Sequence, residues 1–440
     1  MTTTDSRPRA DMVIADARQM LTCAGDTPYD VATIEHGWMA ITGEMIAAVG
    51  DRALVEAAVD CSEAQVIAAS GCVVAPGFVD SHTHLVFGGS RVDEYAAKMT
   101  ESDPEVVRQM GIKTGILATV ERTRAAALEE LVDEAAIRLR RMLSAGTTTV
   151  ESKSGYGLST EAELKLLRAN RALAGETAVD LVSTFLGAHG FPPEVPRETY
   201  LRAVLAEMIP QVAEEGLAEF ADVWCDDGYY TAGESRAILE VAQAAGMAPK
   251  IHADAYSYVG GSDLAAEMRM VSIDHLNYTP RTVMARLAER GVVGVVMPAL
   301  DFAVGHVRPF DVRAMIDEGM TIALATDLCP GCWVESQQFV MALACRLYGM
   351  SPAEALWAAT TGGALALQLG ADRGSLEAGK LADIQIWDVP RYEHAIYRLG
   401  GNVVGRVIKR GKVVVERRDD DLMAVRTSHE RVNAPMKERA

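Results

Sequence analysis

Two histidines one residue apart, His82 and His84, close an apolar run over residues 75–85. On a β-strand, residues i and i+2 face the same side, so the two imidazoles aim at one point. Neutral imidazole is a ligand for Zn, Fe, Co or Ni. Hydrolysis at a metal needs three or four ligands and one open position for water. Two further residues complete such a set: His252 in Lys250-Ile-His-Ala-Asp254, and Asp327 in Ala325-Thr-Asp-Leu328. Each alone also reads as a helix cap or a core histidine, but all four end strand-like runs. A bound metal lowers the pKa of its water toward ~7. Asp327 can both ligate and take the proton from that water. His275, in Ser272-Ile-Asp-His-Leu276, is placed to stabilise developing charge beside it.

These residues need a frame that brings distant segments together. Eight strand-like runs occupy residues 77–82, 147–153, 180–189, 221–225, 249–254, 271–275, 291–297 and 321–327. Helical periodicity separates them, as over 161–173 and 235–246. Eight such units predict an α/β chain closing into a (β/α)8 TIM barrel. His82, His84, Lys153, His189, Asp226, His252, His275 and Asp327 then all lie at C-terminal strand ends, the active-site face of this barrel. A doubly wound sheet would not bring eight strand ends to one mouth. Short β-rich runs between Gly turns over 11–75 return at 382–387 and 404–416. Together they predict a small β-sandwich domain built from both termini, residues 1–75 and 381–440, around a barrel over 76–380.

The 440-residue chain is 49% hydrophobic, which suits a soluble globular protein of more than one core. It has no apolar run long enough to span a membrane and no signal-peptide segment at its N-terminus. Seven scattered cysteines, an odd number, fit a reducing cytoplasm. A net charge of −19 without a basic cluster argues against nucleic acid as a partner. It also means that an anionic substrate needs a local cation.

The motifs Pro76-Gly-Phe-Val-Asp-Ser-His-Thr-His-Leu-Val-Phe-Gly-Gly-Ser-Arg91, Glu151-Ser-Lys-Ser-Gly-Tyr-Gly-Leu158, Thr184-Phe-Leu-Gly-Ala-His189, Lys250-Ile-His-Ala-Asp254, Asp274-His-Leu276 and Ala323-Leu-Ala-Thr-Asp327 carry more. With them the chain resembles the amidohydrolase superfamily, and within it the imidazolonepropionases of histidine breakdown, from about Met12 to Glu416. The family reaction opens an imidazolone ring by attack at the carbon between its nitrogens. The resemblance implies one divalent ion, Zn or Fe, held by His82, His84, His252 and Asp327, and a homodimer. Two-metal relatives carry a bridging lysine at strand 4. Here that strand ends Trp224-Cys-Asp-Asp227, which favours one metal, and Lys153 on strand 2 reads as structural. Family substrate contacts map onto Arg91, Tyr156 and His189. Arg91 suits a propionate carboxylate, and Tyr156 and His189 suit polar ring atoms.

The chain departs from the family inside the pocket. The family strand-5 motif is His-Ala-Asp-Glu, whose Glu is acid/base at the ring nitrogen; here Ala255 and Tyr256 follow Asp254. At strand 8 the family has Asp-Phe-Asn-Pro-Gly, and here Cys329, Gly331 and Cys332 stand in Asp327-Leu-Cys-Pro-Gly-Cys332. The family's Gly-rich loop after strand 1 is replaced near Met110-Gly-Ile-Lys113. The expectation is retained hydrolysis on a changed ring: a thiohydantoin-like or N-methylated imidazolone propionate, with Ala255, Tyr256, Cys329, Gly331 and Cys332 among the substrate contacts. Three alternatives stay open: Asp254, Tyr256 or Asp226 replaces the Glu and the substrate is ordinary imidazolone propionate; the enzyme is a ring aminohydrolase releasing ammonia; or the chain is a non-catalytic metal-binding homologue.

Overall fold

The computed structural model describes residues 7–101 and 103–417. The ends of the expected sandwich, 1–6 and 418–440, lie outside the described residues. Eight parallel strands run in sequence order around a barrel: Phe78–Asp80, Thr147–Lys153, Asp180–Ala188, Phe220–Cys225, Ala248–Ala253, Ser272–His275, Val293–Val296 and Ile322–Leu324. They are called barrel strands 1–8 below. Strands 2, 6 and 7 are buried along their whole length, as expected of parallel strands covered on both faces.

Closure between strands 8 and 1 is made just beyond their ends. Asp327 N–H donates to the His82 carbonyl (3.1 Å), and His84 N–H to that of Leu328 (2.9 Å). Below them the Asp80 carboxylate accepts from Thr326 N–H (3.0 Å) and Oγ1–H (2.7 Å). The seam that closes the barrel therefore joins the two segments carrying His82, His84 and Asp327.

Helices cover the barrel and start where the sequence supplies caps. Ser159 Oγ accepts from Ala162 N–H at the start of Thr160–Ala174, and Thr231 with Glu234 forms a capping box before Ala232–Ala244. The first helix contains the periodic stretch 161–173, and the second covers 235–246 up to Ala244.

The terminal strands form a separate sheet of eight strands, with Ile384–Trp387, Val404–Lys409 and Lys412–Glu416 joined through Val73–Pro76 to Met12–Leu21, Thr33–Thr42 and Met45–Gly50. It curls so that Ile46 N–H reaches the Lys380 carbonyl (2.8 Å), and Met12, Ile14, Ile41, Ile384 and Ile408 share one core. Val73–Pro76 runs straight into barrel strand 1. At the junction a side chain on Gly77 would overlap Thr148, so only glycine permits this close approach.

Candidate active site

Four side chains at strand ends converge. His82 Nε2 lies 3.7 Å and His84 Nε2 3.8 Å from Asp327 Oδ1. Donors about 2.1 Å from one tetrahedral centre are roughly 3.4 Å apart, so this spacing fits a shared ion. His252 joins both histidines in overlapping trios whose ligand atoms lie within 4.8 Å of one another: His82 with His252 and His275, His84 with His189 and His252. His82 Nε2, His252 Nε2 and Asp327 Oδ1 are buried without a hydrogen-bond partner. Three orphaned acceptor atoms in one spot are what a missing cation explains.

The other nitrogen of each imidazole faces a protein oxygen. His82 Nδ1 donates to Asp274 Oδ2 (2.7 Å), His252 Nδ1 lies 2.9 Å from Asp222 Oδ2, and His84 Nδ1 faces the Ser154 carbonyl at 3.4 Å. Each contact turns Nε2 toward the common point, the usual arrangement behind metal-bound histidine. Burial, then neighbouring positive charge, holds His82, His84 and His252 well below the ordinary imidazole range. Burial lowers His189 and His275 to about 4. All five rings are therefore neutral at pH 7. Burial likewise pushes Asp327 up to about 7.

Beneath the ligands lies a sealed layer of charge that the sequence did not single out. Lys153 Nζ sits 2.8 Å from Asp222 Oδ2, 3.1 Å from Asp274 Oδ2 and 3.1 Å from Glu151 Oε1. Lys250 Nζ is 2.8 Å from the same Glu151 oxygen. All five groups are fully buried. One ammonium thus holds both carboxylates that orient His82 and His252. Lys153, expected to be structural, has this positioning part. The available signal was a pair of ionisable residues at i, i+2 within one strand, as in Glu151-x-Lys153 and Lys250-x-His252.

Above the ligands opens a cavity of about 670 Å³, within the range of small-molecule sites. His84, His189, His252, His275 and Asp327 line its floor; Arg91, Tyr156, Tyr256, Cys329 and Gly331 line its walls. Tyr156 is held by the loop before helix Thr160–Ala174. The buried Glu163 accepts N–H bonds from Gly155, Gly157 and Leu158 (2.8, 2.7 and 2.8 Å). Gly155 has φ +110°, and a side chain there would meet His189. Arg91 donates Nε–H and Nη2–H to the buried Glu94 (both 2.7 Å), while Nη1 faces Gly331.

Two expected contacts lie elsewhere. Cys332 is buried behind the loop with Sγ toward the Thr326 carbonyl (3.7 Å), so only Cys329 of the pair lines the cavity. Ala255 is buried, and its carbonyl accepts from His306 Nε2–H (2.9 Å); Arg308 N–H donates to His306 Nδ1, which fixes that tautomer. Of the residues offered as replacements for the family Glu, Asp254 is tied to Thr279 and Asp226 to Ser257 and Tyr256 N–H. Tyr256 alone lines the cavity.

The family model for the amidohydrolase family matches residues 73–414. The chain belongs to the amidohydrolase family. Within it, the chain is imidazolonepropionase-like: it is 42% identical over 418 residues to the imidazolonepropionase of Alkaliphilus metalliredigens, covering 92% of this chain and 98% of that one. The imidazolonepropionase of Symbiobacterium thermophilum is 43% identical over 416 residues, covering 92% and 97%. Among solved structures, a zinc-bound adenosine deaminase from Xanthomonas campestris superposes with TM-score 0.71 at 18% identity, over 97% of this chain and 99% of that one. A zinc complex of an atrazine chlorohydrolase from Arthrobacter aurescens gives 0.67 at 18%, over 95% and 99%. The last two share the fold. The amidohydrolase is a hydrolase, and its donor set fits a metal cofactor.

Proposed function

We propose that this amidohydrolase opens a five-membered cyclic amide or amidine ring bearing a propionate, at the carbon between the ring nitrogens, with one divalent ion, Zn or Fe. The observation that carries this reading is the coincidence, at the floor of one cavity and just beneath it, of the unpartnered His82 Nε2, His252 Nε2 and Asp327 Oδ1 with the inward Nη1 of Arg91. His82, His84, His252 and Asp327 would hold the ion. When bound, it supplies Lewis acidity and makes a water acidic near pH ~7.

Arg91 binds the carboxylate, and its pairing with Glu94 presets the guanidinium edge. Tyr156 and His189 hydrogen-bond the ring's polar atoms. Asp327 takes the water proton, its second carboxylate oxygen serving as the base. The neutral His275 donates toward the oxygen or sulfur on which charge develops. The water oxygen bonds to the ring carbon, the C–N bond breaks, and Asp327 returns the proton to the leaving nitrogen. With a C=S carbon, hydrogen sulfide is the alternative leaving group.

Ala255 carries no proton, which supports a ring whose nitrogens already bear hydrogen: a thiohydantoin or hydantoin propionate rather than the imidazolone. The soft Cys329 wall suits sulfur. An N-methylated imidazolone propionate is the second candidate. We place the enzyme in the cytoplasm as a homodimer acting on this small anionic substrate; its described cysteines are all free, and no described helix is long and apolar enough to cross a membrane. Mass spectrometry of products from metal-loaded enzyme and a panel of imidazolone, hydantoin and thiohydantoin propionates tests the reading. A mass gain of one water, followed for the hydantoin by loss of carbon dioxide from the carbamic acid formed, or sulfur exchanged for oxygen, supports it. No turnover of any member overturns it, and ammonia release in its place indicates an aminohydrolase.

A further inference from the structure

We propose that Trp224 is a further specificity-determining residue, whose indole N–H donates to an exocyclic oxygen or sulfur of the bound ring. The proposal rests on the ring-hydrolase reading above and adds a contact to it. Trp224 stands on barrel strand 4, two residues after Asp222. Successive side chains alternate across a strand, so both share one face. Asp222 faces inward to Lys153 and His252, and Trp224 lies one layer nearer the mouth, where it lines the cavity. Its ring is 5.2 Å from that of His189 and 6.5 Å from that of His252.

The indole is held in place. Tyr229 stacks on it at 3.6 Å and 20°, and Tyr230 N–H donates to its carbonyl (3.1 Å). Yet Trp224 Nε1 is buried and no group among the described residues accepts from it. Indole nitrogen is a donor only, and a buried unpaired donor is costly. The cation that accounts for the orphaned atoms of His82, His252 and Asp327 cannot account for this one, because an N–H repels it. A ligand acceptor does. Strand 4 is three strand steps from strand 1, after which Arg91 follows, so the two residues sit on opposite halves of an eight-stranded mouth. A carboxylate on Arg91 directs the ring toward Trp224, and a ring without an outward acceptor leaves the donor unpaired.

The test uses metal-loaded protein with 15N-labelled indoles, of which the chain has five. The Trp224 signal is identified by its absence in Trp224→Phe, which retains an aromatic ring on Tyr229. Hydantoin propionate and thiohydantoin propionate are titrated into both proteins. The expected result is a downfield shift of the Trp224 N–H in the wild type, and roughly tenfold weaker binding by the variant at unchanged metal content. Equal affinities, or a stationary Trp224 signal at ligand saturation, overturn the proposal. Should the variant fail to fold, the wild-type spectrum, assigned by selective labelling, decides alone. If neither compound binds the wild type, the Trp224 proposal falls for want of its ligand, while the ring-hydrolase reading is decided separately by turnover of the full panel.

Discussion

Ala255 is where the choice of ring is decided in this account. A general acid/base typically contributes ~10²–10⁴-fold, and a methyl group contributes none. Ala255→Glu should therefore raise turnover of imidazolone propionate by about 10²-fold relative to the hydantoin and thiohydantoin analogues. Steady-state kcat values across the three rings check this, and an unchanged ratio would remove Ala255 from the account of ring choice. Arg91 is testable in the same way. Its Nε and Nη2 are spent on Glu94, so the substrate carboxylate takes the remaining edge. Lysine cannot serve both, and Arg91→Lys should raise KM about tenfold or more with little change in kcat. A fall in kcat at constant KM would contradict a binding role. These wall residues were legible because their types and motifs lie together in sequence. The fate of Cys332 was not: nothing local tells that Sγ turns to the Thr326 carbonyl while Cys329 lines the cavity.

At the scale of the strand, catalytic geometry depends on groups the substrate never touches. The ammonium of Lys153 is shared by Asp222 and Asp274, and these carboxylates orient His252 and His82. Burial opposes its charge, but the three carboxylates outweigh that and hold its pKa above the usual lysine range. Removing one partner of a buried ion pair strands the others, at about 3–5 kcal/mol. Lys153→Met should therefore lower Tm and weaken metal binding together. A melting curve and a metal titration on one preparation check this; loss of activity with both unchanged would mean that Lys153 acts in the chemistry instead. The eight strands and their order were legible because strand-like runs alternate with helical periodicity along the chain. The ion layer was not, because its partners lie far apart: 192 residues separate His82 from Asp274, and 69 separate Lys153 from Asp222. Glu163 lies in the helical stretch 161–173, and nothing local shows that it is buried and holds the Tyr156 loop through three backbone N–H groups.

Across the whole molecule, one seam joins stability to function. The segments that close the barrel carry His82, His84 and Asp327, so an ion bridging them also staples the first strand to the last. Left-handed backbone at His275 (φ +85°) and Asp327 (φ +47°) adds strain at this rim, of order 1–3 kcal/mol each. Acid also acts away from the rim. Burial would raise Glu94, but hydrogen bonds from Arg91 and Lys98 hold it at about 2, against 4.5 ordinarily. Its folded-state pKa is depressed, so its stabilisation is complete above about pH 4.5 and is lost as pH falls toward 2. Glu94→Gln should flatten the acid limb of the stability profile in that window, as read by denaturant melts; an identical limb would show that other carboxylates govern it.

The most direct test is a metal titration of chelator-stripped protein, following ring opening of a propionate-bearing five-membered ring. Activity should appear in step with bound Zn or Fe and saturate at one ion per chain, with Tm rising in parallel and His252→Ala showing neither effect. Full activity in the stripped protein, or saturation only at two ions per chain, would contradict the account.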